Sequence, residues 1–121
     1  MVLFSFSNIF KNMFKSSSLD ISVEEFKEKL EQERGVIIDV RTKEEFEAGH
    51  LKLTDDQKDF LNGDFHDNVK FLDKSKTYYL YCRSGNRSGK AAQMLEQEGF
   101  KKVYNVGGFE NLVSAGFESK K

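Results

Sequence analysis

The spacing of apolar residues changes several times along this chain, and each change marks an element. Ser22–Glu25 (SVEE) has the form of a capping box. It predicts a helix from about Val23 to Glu33, with Val23, Phe26 and Leu30 on one face and Gly35 as the stop. Val36–Val40 (VIIDV) is a nearly unbroken apolar run, the pattern of a strand buried in a parallel sheet. Thr42–Glu45 (TKEE) is a second capping box, and its short helix should end at Gly49. The stretch from Leu51 to Asp73 is harder to read. Leu51–Leu53 suits a short strand, Asp55–Leu61 a helix, Asn62–Asp64 a turn and Phe65–Leu72 another helix. Thr77–Tyr81 is strand-like and rich in aromatics. Ser88–Glu98 is helical, with Ala91, Ala92 and Leu95 on one face and Gly99 closing it. A strand over Lys102–Val106, a Gly107-Gly108 turn and a last helix over Phe109–Ala115 complete the pattern. Strands alternating with helices predict an α/β sandwich with a mainly parallel sheet.

Ahead of this pattern stands MVLFSFSNIFKNMFKSSS, residues 1–18. Leu3, Phe6, Phe10 and Met13 fall at helical spacing, and Lys11 and Lys15 are the only charged side chains. The segment lacks the basic start and small-residue cleavage site of a signal peptide. It reads as an amphipathic arm with a serine linker. Weak contact with a membrane surface or a partner is within its reach, and a loosely packed arm is the plainer reading. The domain proper is expected at 19–121.

Composition narrows the options. A length of 121 residues suits one domain, and 38% apolar residues with 12 Phe and 4 Tyr can supply one modest core. A net charge of −1 gives no electrostatic case for nucleic acid. One cysteine and two histidines exclude an internal disulfide and a cysteine-rich zinc site, and no metal or cofactor is expected. A free thiol suits a reducing, cytoplasmic setting.

That cysteine is the chemical signal. Cys82 ends an apolar strand, and the loop Arg83, Ser84, Gly85, Asn86, Arg87, Ser88 leads into a helix expected about six residues later. In parallel α/β sheets, sites form beyond the carboxyl ends of strands. Loop amides and a helix N-terminus aimed at the sulfur favour thiolate, as do two guanidinium groups. Gly85 permits the positive φ that a cradle-shaped loop needs. The chemistry this supports is thiolate attack on an anionic substrate.

Four motifs resemble the rhodanese-domain sulfurtransferases. Cys82–Ser88 (CRSGNRS) is similar to the family's active-site loop. Ile38–Arg41 (IDVR), with Glu45-Phe46 and Gly49-His50, is similar to its early motif. Lys90–Ala92, Leu95 and Gly99-Phe100 are similar to the helix after the loop, and Val103–Gly108 (VYNVGG) to the closing strand and turn. The resemblance spans about Leu19 to Phe117. It implies a three-layer sandwich in which Cys82 takes a sulfane sulfur as a persulfide. The amides of Arg83 to Ser88 would stabilise that persulfide. It also implies that Arg83 and Arg87 bind a small anionic donor of the thiosulfate kind. With no second cysteine in these residues, an external acceptor must take the sulfur: cyanide, a small thiol, a thioredoxin-like dithiol or another protein thiol. Two departures stand out. Leu51–Gln57 (LKLTDDQ) replaces a segment in which the family usually has Pro or Lys, then Gly-Ala. Leu112 stands where the family often has Trp.

Other residues read as structural. Arg41 lies four residues before Glu45, at helical pairing distance, and Asp39 can accept loop amides. His50 follows a helix-ending glycine and reads as a hydrogen-bonded structural histidine, and His66 as a surface residue. The stretch Gly85–Lys90 is too short between its glycines for a phosphate loop, and Ala91 replaces the required hydroxyl residue. Rhodanese-fold phosphatases and arsenate reductases need one more loop residue than the four that separate Cys82 from Arg87. A persulfide carrier serving a partner protein is the remaining alternative to a free-standing enzyme.

Overall fold

A computed structural model describes residues 19–121; the expected arm and linker at 1–18 lie outside them. The order of elements is α1 (Val23–Gln32), β1 (Val36–Asp39), α2 (Lys43–Ala48), β2 (His50–Leu51), β3 (Asp56–Gln57) and α3 (Asp64–Asn68), which continues as a 3-10 turn (Val69–Phe71). Then come β4 (Thr77–Cys82), α4 (Asn86–Gln97), β5 (Lys102–Gly108), α5 (Phe109–Ser114) and β6 (Ser119–Lys120). Both capping boxes form: Ser22 and Glu25 exchange bonds at the start of α1, and Thr42 and Glu45 at the start of α2.

The main sheet has the order β3-β1-β4-β5, and every pair is parallel. β4 lies inside it and every one of its residues is buried. The two-residue period of a strand sends Tyr78, Leu80 and Cys82 to one face and Tyr79 and Tyr81 to the other. The first set packs with Ile38, Val40, Phe65, Ala91, Ala92 and Leu95, beneath α3 and α4. The second packs with Phe26, Ile37, Leu51, Val106 and Leu112, beneath α1 and α5. Helices on both faces make three layers, as a parallel sheet requires. Burying three tyrosines is affordable because each hydroxyl has a partner. Tyr78 donates to Asp73 O, Tyr79 to Glu33 O, and Tyr81 meets Thr54 Oγ1 at 2.8 Å. Leu112 fits the second cluster fully buried.

Four expectations need correction. Asp55–Leu61 is not a helix. It runs beside β1, whose outer N–H and C=O groups would otherwise lack partners. Asp55 N–H donates to Ile37 O at 2.8 Å, Lys58 N–H to Asp39 O at 2.9 Å, and the Asp55 carboxylate accepts Ile37 N–H at 2.8 Å. The strand expected at Leu51–Leu53 is β2, shifted to His50–Leu51, and it pairs antiparallel with β6 near the end of the chain. Gly107 and Gly108 do not form a separate turn but finish β5, paired with Tyr81 and Cys82. The helix after the cysteine starts at Asn86 rather than Ser88, because Gly85 at φ 96° already turns the chain into it.

The outer edge of β5 is partly covered. Asn105 N–H donates to Leu19 O at 2.8 Å and Ile21 N–H donates to Asn105 O at 3.1 Å, so Leu19–Ile21 runs beside β5 as a short parallel rail. Among the described residues no helix is long and apolar enough to cross a membrane.

Candidate active site

Cys82 is the last residue of β4, and the loop Arg83–Gly85 carries the chain over its sulfur into α4. The residue is fully buried. Its Sγ accepts the Gly85 N–H at 3.1 Å and lies 3.3 Å from Ser88 Oγ. Burial alone pushes a thiol up. Here Ser88, with the backbone amides of Ser88, Gly85 and Ser84, outweighs it, and the thiol is held below its ordinary value. The Ser88 amide belongs to the first turn of α4, so the helix N-terminus contributes to this.

Glycines set how close the loop can come. Gly85 adopts φ 96°, a left-handed conformation that costs a side-chain-bearing residue roughly 1–2 kcal/mol. A Cβ on Gly108 would stand 2.5 Å from Arg83 O and 3.3 Å from Ser84 Cα. β5 therefore ends in glycine because the cysteine loop lies directly on it.

The two loop arginines differ. Arg87, in the first turn of α4, is held by Glu45 through bonds of 2.8 and 3.1 Å from its two terminal nitrogens. That hydrogen-bonded pairing holds the Glu45 carboxyl down at about 2. A cation at a helix N-terminus is unfavourable, and Glu45 offsets it. Arg83 is exposed, has no ion-pair partner among the described residues, and lines a cavity of about 340 Å3 with Arg41, Glu45, Ala48, Gly49, Phe109 and Glu110. Ser84 and Asn86 are on the loop's outer side, joined by a 3.4 Å bond from the Asn86 N–H to Ser84 Oγ.

Of the residues expected to be structural, Arg41 shares the cavity with Arg83, and Asp39 and His50 are held by local bonds. Arg41 pairs with Asp39 rather than Glu45. Its Nε lies 3.0 Å and its terminal nitrogen 2.8 Å from Asp39 Oδ2, and the Arg41 N–H reaches Asp39 Oδ1 at 2.8 Å. The same guanidinium bonds Gly49 O at 2.6 Å and covers the Phe109 ring at 4.4 Å. The His50 Nδ1–H donates to Phe46 O at 2.9 Å, and the ring stacks on Phe46. His66 is exposed on α3.

Two residues at the site carried no sequence signal of their own. Asn105, buried on β5, meets Ser88 Oγ at 2.7 Å and donates to Asp20 at 2.8 Å and to Gly85 O at 3.0 Å. Its place in the Val103–Gly108 motif hinted at importance without assigning a role. Asp20 precedes a capping box and looks like any surface acid. Among the described residues no group of three His, Cys, Asp or Glu side chains gathers as a metal site.

Comparison with known proteins places this geometry. The family model for the rhodanese-like domain matches residues 22–115. The chain is 35% identical over 82 residues to "Thiosulfate sulfurtransferase GlpE" of Pseudomonas syringae pv. syringae (strain B728a), covering 67% of this chain and 74% of that protein. It is 36% identical over 92 residues to "Putative sulfur carrier protein YrkF" of Bacillus subtilis (strain 168). That match takes in 75% of this chain but only 48% of the relative, about half its length. Among solved structures, SSP1007 from Staphylococcus saprophyticus superposes with a TM-score of 0.66 at 34% identity, covering 82% of this chain and 97% of that one.

Proposed function

The chain belongs to the rhodanese-like domain family, and on that premise we propose that it is a sulfurtransferase working through a persulfide on Cys82. The observation that carries the reading is the seat of the sulfur, a thiol under a loop whose N–H and O–H donors converge on it and hold it below its ordinary value. The same donors suit the outer sulfur anion of a persulfide, a small charge that the loop can neutralise without a counterion.

The donor is thiosulfate or a similar sulfur oxyanion. The Cys82 thiolate attacks the outer sulfur. The sulfur–sulfur bond breaks, sulfite leaves with its electron pair, and Cys82 carries the persulfide. A thiophilic acceptor, such as cyanide or a thiolate, then attacks the terminal sulfur. The Cys82–sulfur bond breaks and the thiolate returns. Arg83 is the group that meets the incoming oxyanion. Arg87, with its charge shared by Glu45, contributes field at the sulfur and binds the donor less than its loop position suggests. The name borne by the Pseudomonas relative supports thiosulfate as donor.

The test follows thiocyanate release from thiosulfate and cyanide, with intact mass recorded after thiosulfate alone. Wild type should turn over and gain one sulfur atom, and Cys82→Ser should do neither. Equal turnover by Cys82→Ser would overturn the proposal. A gain of sulfur without turnover would make the protein a carrier for a partner.

A further inference from the structure

Ser88 has one hydroxyl proton and stands between two acceptors. Its oxygen is 2.7 Å from Asn105 Oδ1 and 3.3 Å from Cys82 Sγ. A hydroxyl donates once, so only one of these contacts is a donation by Ser88 at any moment. The Asn105 amide is fixed end for end by its surroundings: Nδ2 donates to Asp20 Oδ1 at 2.8 Å and to Gly85 O at 3.0 Å, and Oδ1 accepts the Gly107 N–H at 3.2 Å. An acceptor therefore always faces Ser88. The Asp20 carboxylate at the far end polarises the amide and strengthens that acceptor. While Cys82 is a neutral thiol, the Ser88 proton rests on Asn105. When the sulfur is charged, as thiolate or persulfide, the O–H turns to the sulfur and Asn105 keeps the Gly107 N–H.

We propose that Asp20, acting through Asn105, holds the Ser88 hydroxyl proton away from Cys82, so that this pair sets how readily the sulfur takes on charge. Neither residue touches the sulfur; both are positioning residues. The inference rests on the reading of Cys82 as the sulfur-carrying nucleophile. No proton changes owner along this path. The Ser88 O–H rotates, and the thiol's own proton goes to solvent. The other charged groups around the sulfur are Arg87, with Glu45 and Asp59 beside it, Arg83 on the loop, and the Asp39–Arg41 pair at the end of β1. Each remains in place in the variants below.

The test is the pH dependence of Cys82 alkylation by iodoacetamide in the full chain. It compares wild type, Asp20→Asn, Asp20→Ala, Ser88→Ala and the Asp20→Asn/Ser88→Ala double variant. Asp20→Asn keeps an acceptor for Asn105 and removes the charge. It should lower the apparent pKa of Cys82 by about half a unit and raise the alkylation rate below that pKa about threefold. Asp20→Ala should shift it the same way. In the Ser88→Ala background the Asp20 change should have no effect. An unchanged or raised pKa in both Asp20 variants would overturn the proposal. So would a full shift persisting without Ser88, which would make Asp20 a direct charge effect. Alkylation needs no sulfur donor, so the outcome is readable even if wild type transfers no sulfur. Conversely, an active wild type with no Asp20 effect sinks only this inference.

Discussion

Glu45 decides how much of the loop's positive charge an incoming anion meets. Its two oxygens occupy both terminal nitrogens of Arg87. Glu45→Gln should release that guanidinium and lower the KM for thiosulfate about three- to tenfold, measured by cyanolysis at low ionic strength. An unchanged or raised KM would mean that Arg87 takes no part in binding the donor. The pair also has a pH signature. The Glu45 carboxyl is lowered from an ordinary 4.5 to about 2, so its contribution to stability is complete above the ordinary value and lost as pH falls toward 2. Acid unfolding of Glu45→Gln should therefore differ from wild type least below pH 2 and most above the ordinary carboxylate range. At this scale the sequence was informative where residue type carries the chemistry. A lone thiol, a positive-φ glycine and a hydroxyl stand in one short loop. It was silent on partners. Glu45 and Arg87 are 42 positions apart, and helical spacing pointed Glu45 to Arg41 instead, whereas the nearer carboxylate of Asp39 holds Arg41.

Elements differ in how much of their pattern is local. β1 and β4 are continuous apolar runs because both faces of a parallel strand are buried, and that composition needs no partner to be read. β3 has no such mark. Two residues of an acidic stretch become a strand because β1 offers an unpaired edge. β6 is equally brief and depends on β2 for its existence. The end of β5 makes the strongest element-level prediction. Gly108→Ala puts a Cβ 2.5 Å from Arg83 O, and backbone must give way. Displacing the loop by a fraction of an ångström to about 1 Å should cut sulfur transfer about a hundredfold, while thermal unfolding remains cooperative. Full activity in that variant would show that the loop has slack. Leu80→Ala, in the middle of β4 and fully buried, should instead cost about 2–5 kcal/mol of stability, read from a denaturant titration.

At the scale of the molecule, the parallel sheet places the sulfur at the carboxyl end of an inner strand, between helix layers that were foreseeable from the alternation of patterns. What composition could not supply was the use made of the first described residues. Leu19–Ile21 completes the outer side of β5 at the level of Asn105, the residue that also steadies Ser88. Deleting residues 1–18 should leave cyanolysis within about twofold of wild type, since the donors at the Cys82 sulfur come from Gly85 and Ser88. Extending the deletion through Ile21 should reduce it, because the Asn105 N–H and C=O then lose Leu19 and Ile21 and the strand beneath the cysteine loop loosens. There is a colloidal consequence as well. Without its rail, β5 becomes an open margin whose Asn105 N–H and C=O seek another chain. The longer deletion should therefore sediment as dimers and higher species at concentrations where the shorter one stays monodisperse.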